Sequence, residues 1–268
     1  MGPENWSENS VSMRSKMITI AVSLTVVLAL WAAPSVADSD NDAPPTGAFA
    51  VGYTPRALLG DVADKFSSAI ALDEQATWEI VAPSNYNADN PPGLLVFVSP
   101  TPSGAPPRGW HELMDEHNLI WISANNSGNK VVVPERVMKA LLALSAVQQQ
   151  FVLDPERVYI SGFSGGGKVA SMITTDYAGL FKGGIFIGGV EPWPKQQPAQ
   201  YELIKSHHFV FLTGDSDFNL APTKRIYREY KKAGITNSKL MVINEMAHTV
   251  PRSHTFKRAI DYLDERVR

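Results

Sequence analysis

The chain has no cysteine at all. That excludes disulfides, thiolate metal sites and a cysteine nucleophile. It has little charge to spare: 24 Lys and Arg stand against 27 Asp and Glu, a formal net charge of -3. Such a balance gives no electrostatic footing for nucleic acid or an anionic membrane surface. The six histidines are scattered and form no metal-ligand spacing, so neither a metal nor a cofactor is expected. No internal repeat is visible. One long apolar run exists, and it lies near the amino terminus. The 268 residues suit one α/β domain with a full hydrophobic core.

That apolar run, Met17 to Ala33, follows a basic Met13-Arg14-Ser15-Lys16 and precedes the small residues Ser35-Val36-Ala37. The three parts read as an export signal over 1–37, with cleavage before Asp38 and Met13 as an alternative start. The protein is therefore expected to be periplasmic or secreted, without stable membrane association once the signal is removed. The competing reading is an uncleaved anchor. Residues 38–46 are acidic and contain prolines, as a disordered linker would. The folded domain is expected over 47–268.

Within it, strand-like and helix-like segments alternate. Trp78–Ala82 alternates and ends at Pro83, as an early antiparallel strand would. Leu94–Val98, Leu119–Ser123, Val158–Gly162, Gly183–Gly189, His208–Thr213 and Leu240–Asn244 are apolar runs suited to strands buried on both faces. Helical patterns lie at Gly109–His117, Pro134–Phe151, Pro222–Ala233 and Ser253–Arg268, while 190–206 reads as a loop excursion. The alternation predicts the α/β class: a mostly parallel central sheet with helices on both faces.

The most informative stretch is Ser161-Gly162-Phe163-Ser164-Gly165-Gly166-Gly167. It predicts a strand, a very tight turn and a helix, with the hydroxyl of Ser164 pushed out at the tip. The amides of the helix start lie behind it and suit an oxyanion. Phe163 is expected to pack against the neighbours of this turn. In parallel sheets, active groups collect in loops at the carboxyl ends of strands. Two such loops carry Gly214-Asp215-Ser216-Asp217 and Glu245-Met246-Ala247-His248. The order Ser, Asp, His points to Ser164 as nucleophile, His248 as base and Asp217 as the carboxylate that orients it. Asp215 and His254 are the rivals. Gly165 N–H is the natural first oxyanion donor. Thr101 N–H is the candidate second, since Pro100 and Pro102 have none. Trp193, Asn125 and Asn126 are expected to border the substrate pocket, although Trp193 equally suits a loop anchor.

These stretches, with Asp154-Pro155-Glu156-Arg157 before the serine strand, resemble the α/β-hydrolase superfamily. Within it they are similar to exported esterases of the polyhydroxybutyrate depolymerase and feruloyl esterase type. The resemblance spans most of residues 76–250. It implies the α/β-hydrolase fold and a Ser-His-Asp carboxylic-ester hydrolase acting on a small-molecule or polymer ester through an acyl-enzyme. The chain departs from those esterases at Ser99-Pro100, where they carry His-Gly, and in lacking disulfides. Two further readings stay open: a non-catalytic binding protein on the same scaffold, and a peptidase or acyltransferase using the same groups. The oligomeric state cannot be read from the sequence.

Overall fold

The computed structural model describes residues 44–265. The expected signal segment and most of the acidic linker lie outside them. Eight strands form one sheet in the order β1-β2-β4-β3-β5-β6-β7-β8. They are β1 (Gly47–Tyr53), β2 (Ala76–Ala82), β3 (Gly93–Val98), β4 (Leu119–Ala124), β5 (Val158–Phe163), β6 (Gly183–Ile187), β7 (His208–Gly214) and β8 (Ser238–Ile243). The pairs β1–β2 and β2–β4 are antiparallel. All others are parallel.

The β-branched and apolar runs form strands covered on both faces, so neighbours in sequence point to opposite layers. Leu94, Val96 and Val98 join one core, together with Ile160, Phe209 and Phe211. Leu95 and Phe97 join the other, with Tyr159, Ile185 and Leu212. The first layer is covered by α3 (Val133–Gln148), α4 (Gly165–Asp176) and α6 (Leu220–Lys232), the second by α2 (His111–His117) and α7 (Ser253–Asp264). Each buried large side chain contributes about 1.5–3 kcal/mol.

The structure adds elements that the pattern does not mark. β1 extends the antiparallel edge, and the short α1 (Pro55–Leu59) with a 3-10 turn (Gly60–Phe66) leads toward β2. Thr54 caps α1 through its hydroxyl, which accepts from Ala57 N–H. The expected excursion at 190–206 ends in a further helix, α5 (Tyr201–Ser206). Among the described residues, no helix is long and apolar enough to cross a membrane.

Candidate active site

β5 runs into α4 through a single residue, Ser164, held at φ 56° and ψ -121°. This is the left-handed half of conformational space, costly for a residue with a Cβ. The surroundings hold it there. Ser164 N–H donates to the Ile187 carbonyl at 2.8 Å, and its own carbonyl accepts from Lys168 N–H at 3.2 Å. The turn closes so tightly that a Cβ on Gly166 would collide with the Val98 carbonyl, and one on Gly162 with the Gly166 backbone. The glycine spacing read from the sequence is thus required by backbone packing.

Asp217 follows the end of β7. Its side chain is fully buried. It accepts from Asn219 N–H at 2.7 Å and from the Thr213 hydroxyl at 3.3 Å. The loop carrying His248 follows β8 and lies against this one. Ser216 N–H donates to the Met246 carbonyl at 3.2 Å. A Cβ on Gly214 would overlap that same carbonyl, so glycine allows the two loops to touch. Further along, the indole N–H of Trp110 holds the Pro251 carbonyl at 3.2 Å.

The outcome is a row of three side chains. His248 Nδ1 lies 3.0 Å from Asp217 Oδ1, and His248 Nε2 lies 2.9 Å from Ser164 Oγ. The acidic oxygen fixes Nδ1 as the protonated nitrogen, leaving Nε2 to accept from the serine hydroxyl. Two phenyl rings pack against the imidazole, Phe163 at 4.8 Å and Phe218 at 4.2 Å between centroids. Phe218 is 73% exposed. Chemically, the row can move a proton from Ser164 to His248 while the hydroxyl oxygen attacks an electrophile.

The rival residues fall elsewhere. Asp215 is exposed, and its carboxylate accepts from the Ser216 hydroxyl at 3.1 Å. His254 is exposed on α7. His117 has its side chain 7% exposed and lies 3.5 Å from Asp264.

The expected oxyanion and pocket residues are placed unevenly. Gly165 opens α4, so its amide lacks an intrahelical acceptor. Thr101 N–H donates to Ser99 Oγ at 3.1 Å and is therefore occupied. Asn125 is committed on both ends of its carboxamide, accepting from Gly104 N–H at 2.9 Å and donating to Glu79 at 2.8 Å. Asn126 adopts φ 50°, and its carbonyl receives the Lys139 ammonium at 2.9 Å. Trp193 packs edge-on against Tyr230 at 4.8 Å, and its backbone N–H donates to Glu229 at 3.3 Å. These contacts anchor a loop, the alternative that its sequence position allowed.

Sequence reasoning missed three neighbours. Phe218 could have been noticed as an aromatic directly after the candidate carboxylate. Asn129 sits over the start of α4, where a Cβ on Gly165 would strike its carboxamide oxygen. Arg136 is fully buried behind the serine turn; its only sequence signal is a cation within an apolar helical stripe. Burial pushes its guanidinium down to about 10.

A parallel sheet with antiparallel edge strands, helices on both faces and a strained serine turn at its head defines the α/β-hydrolase fold. Residues 81–260 match the family model described as serine hydrolase (FSH1), and the chain belongs to that family. It is a serine hydrolase. No curated protein sequence matches the chain.

Solved structures share its fold at low identity. The S-formylglutathione hydrolase FrmB of Staphylococcus aureus is 13% identical, with a TM-score of 0.60 over 81% of this chain and 98% of that one. A ferulic acid esterase is 14% identical, with a TM-score of 0.57 over 83% and 98%. Dipeptidyl peptidase 4 of Porphyromonas gingivalis is 19% identical, with a TM-score of 0.55 over 72% of this chain. The match spans 34% of that peptidase's length. Likeness at these identities establishes the fold alone.

Proposed function

We propose that this serine hydrolase cleaves small carboxylic esters, with Ser164 as nucleophile, His248 as base and Asp217 as its partner. One observation carries the reading: a single imidazole within hydrogen-bond reach of both the Ser164 hydroxyl and the Asp217 carboxylate, at 2.9 and 3.0 Å. Ser164 Oγ bonds to the ester carbonyl carbon as its proton passes to His248 Nε2. The carbonyl oxygen takes up the negative charge. When the C–O bond to the alcohol breaks, His248 returns the proton to the leaving oxygen. Water then repeats the sequence on the acyl-enzyme, using the same base. Asp217 keeps Nδ1 protonated and stabilises the imidazolium.

Gly165 N–H supplies one donor to the oxyanion. Thr101 N–H supplies the second by exchanging Ser99 Oγ for the charged oxygen, a stronger acceptor. Phe218 stands on the His248 side, where the alcohol departs, and offers it an apolar wall. The similarity in fold to FrmB and to a ferulic acid esterase favours esters as substrates.

The test uses a fluorophosphonate probe on the purified protein. Labelling that disappears in Ser164→Ala supports the reading; a folded wild type that does not label removes it. A series of p-nitrophenyl esters then grades acyl length. Comparable turnover of matching p-nitroanilides would move the assignment toward amide cleavage.

Export is part of the same proposal. Expression of the full chain in a bacterial host should yield mature protein outside the cytoplasm beginning at Asp38, read by amino-terminal sequencing. Material retaining residues 1–37 in the membrane fraction would favour an anchor instead.

A further inference from the structure

Arg136 lies on the inward stripe of α3, where Ala140, Ala143 and Val147 follow it at helical spacing and are all buried. A guanidinium in such a place normally meets a carboxylate, because an unpaired buried charge is costly. Among the described residues, none lies within ion-pair distance of it. Its donors go instead to three backbone carbonyls: Nε to Ser127 at 2.8 Å, Nη2 to Ser99 at 3.0 Å and Nη1 to Gly165 at 3.5 Å.

Those carbonyls belong to three separate segments that frame Ser164. Ser99 follows β3 and begins the loop carrying Thr101. Ser127 lies in the loop after β4, next to Asn129. Gly165 is the first residue of α4. Two acidic groups, one on this helix and one on a strand that meets it through Trp78, are engaged elsewhere. On the same helix, Glu135 pairs with Lys139 at 2.7 Å. Glu79 of β2 accepts from Asn125 at 2.8 Å. Lys168 of α4 lies one turn beyond Gly165. Among the described residues, the positive charge behind the serine turn thus has no carboxylate within ion-pair distance.

We propose that Arg136 is a positioning residue for the reaction. Its three-way clasp fixes the segments that carry the oxyanion donors, and its charge favours the negative charge that develops on the substrate oxygen. A cation in a low-dielectric setting acts at longer range than one in water. It acts on the transition state more than on the neutral ester, so it raises kcat rather than lowering KM. This inference rests on Ser164 being the nucleophile.

The test compares Arg136→Gln with Arg136→Lys on p-nitrophenyl acetate between about pH 6 and 10, after wild-type labelling by fluorophosphonate has been established. Arg136→Gln should lose roughly 30-fold in kcat, with KM within about threefold. Arg136→Lys keeps a cation and should stay within about fivefold of wild type at the acid end. Its kcat should then fall as pH rises through the depressed value of a buried lysine. The wild type should lack that limb up to about pH 9, because a guanidinium pushed down only to about 10 is still mostly charged there.

A purely structural clasp predicts something different: both variants lose activity together, in step with their melting temperatures, and no new alkaline limb appears. That result overturns the proposal, as does a Gln variant with wild-type kcat. Should the Gln variant not fold, the alkaline limb of the Lys variant decides by its presence or absence. Failure of wild-type labelling would instead remove the Ser164 reading, and this inference with it.

Discussion

Among single residues, Asp217 is the most tightly determined member of the site. Its buried carboxylate already holds a backbone amide and the Thr213 hydroxyl before it meets His248. Asparagine would fit the space but would turn an N–H toward Nδ1 and favour the wrong tautomer. Asp217→Asn is therefore expected to lose on the order of 10⁴ in kcat with KM little changed, by steady-state kinetics on an activated ester. Phe218 predicts the opposite balance. Being 73% exposed, it adds little to the core, so Phe218→Ala should shift stability by under about 0.5 kcal/mol. It should raise KM several-fold for aryl esters and less for methyl esters; equal effects on both would argue against a leaving-group wall. Ser164, Asp217 and His248 were legible because chain order and strand-end position constrain them strongly. Arg136 and Asn129 were not, because their importance lies in what they touch from other parts of the chain.

At the scale of elements, the turn between β5 and α4 leaves no room for adjustment. Gly166→Ala would drive a methyl group into the Val98 carbonyl. It should destabilise the fold by about 3 kcal/mol or more, or prevent folding, as seen in urea denaturation. At the other end of β5, Asp264 of α7 receives Arg157 at 3.0 and 3.1 Å and the Tyr159 hydroxyl at 2.9 Å. Burial pushes this carboxyl up, but hydrogen bonds from His117, Arg157 and Tyr159 outweigh it and hold it below the usual range. A lowered folded value means stability that is present above the ordinary carboxylate range and lost as pH falls through the folded value. At pH 7, Asp264→Asn should be less stable by ~3 kcal/mol. The gap to wild type should close progressively below about pH 4, measured by urea unfolding at stepped pH; a gap independent of pH would show that ionisation is not involved. The long apolar strands and the amphipathic helices were readable from their periods. α5 was not, since its six residues carry too short a pattern. β1 was not, because Gly47–Tyr53 holds two Gly and two Ala beside a single β-branched residue, Val51, and gains its order by pairing with β2.

For the whole molecule, the antiparallel edge is the vulnerable boundary. β1 covers β2 along seven paired positions. Removing residues 1–43 should leave the melting temperature of the domain almost unchanged. Removing residues 1–54 deletes β1, exposes the edge of β2 and should produce aggregation in size-exclusion chromatography. If the shorter piece were equally stable and monomeric, β1 would be dispensable. Trp193 illustrates why the molecular scale resists reading from sequence. Its loop position allowed either a pocket wall or an anchor, and only the tertiary structure shows its contacts with Tyr230 and Glu229 of α6.

By itself the sequence determined the class of fold, and it pointed to the serine turn and to the three side chains that the structure places in one hydrogen-bonded row. Those depend on local properties: the period of apolar residues, the absence of a Cβ at Gly162 and Gly166, and the position of polar residues just past strand ends. The tertiary structure alone decided which way the imidazole faces, what lies beside Phe218 and that the Arg136 guanidinium clasps three backbone carbonyls behind the serine. Each of these is a contact between segments distant in the chain, set by the order of strands in the sheet, and no local pattern encodes it.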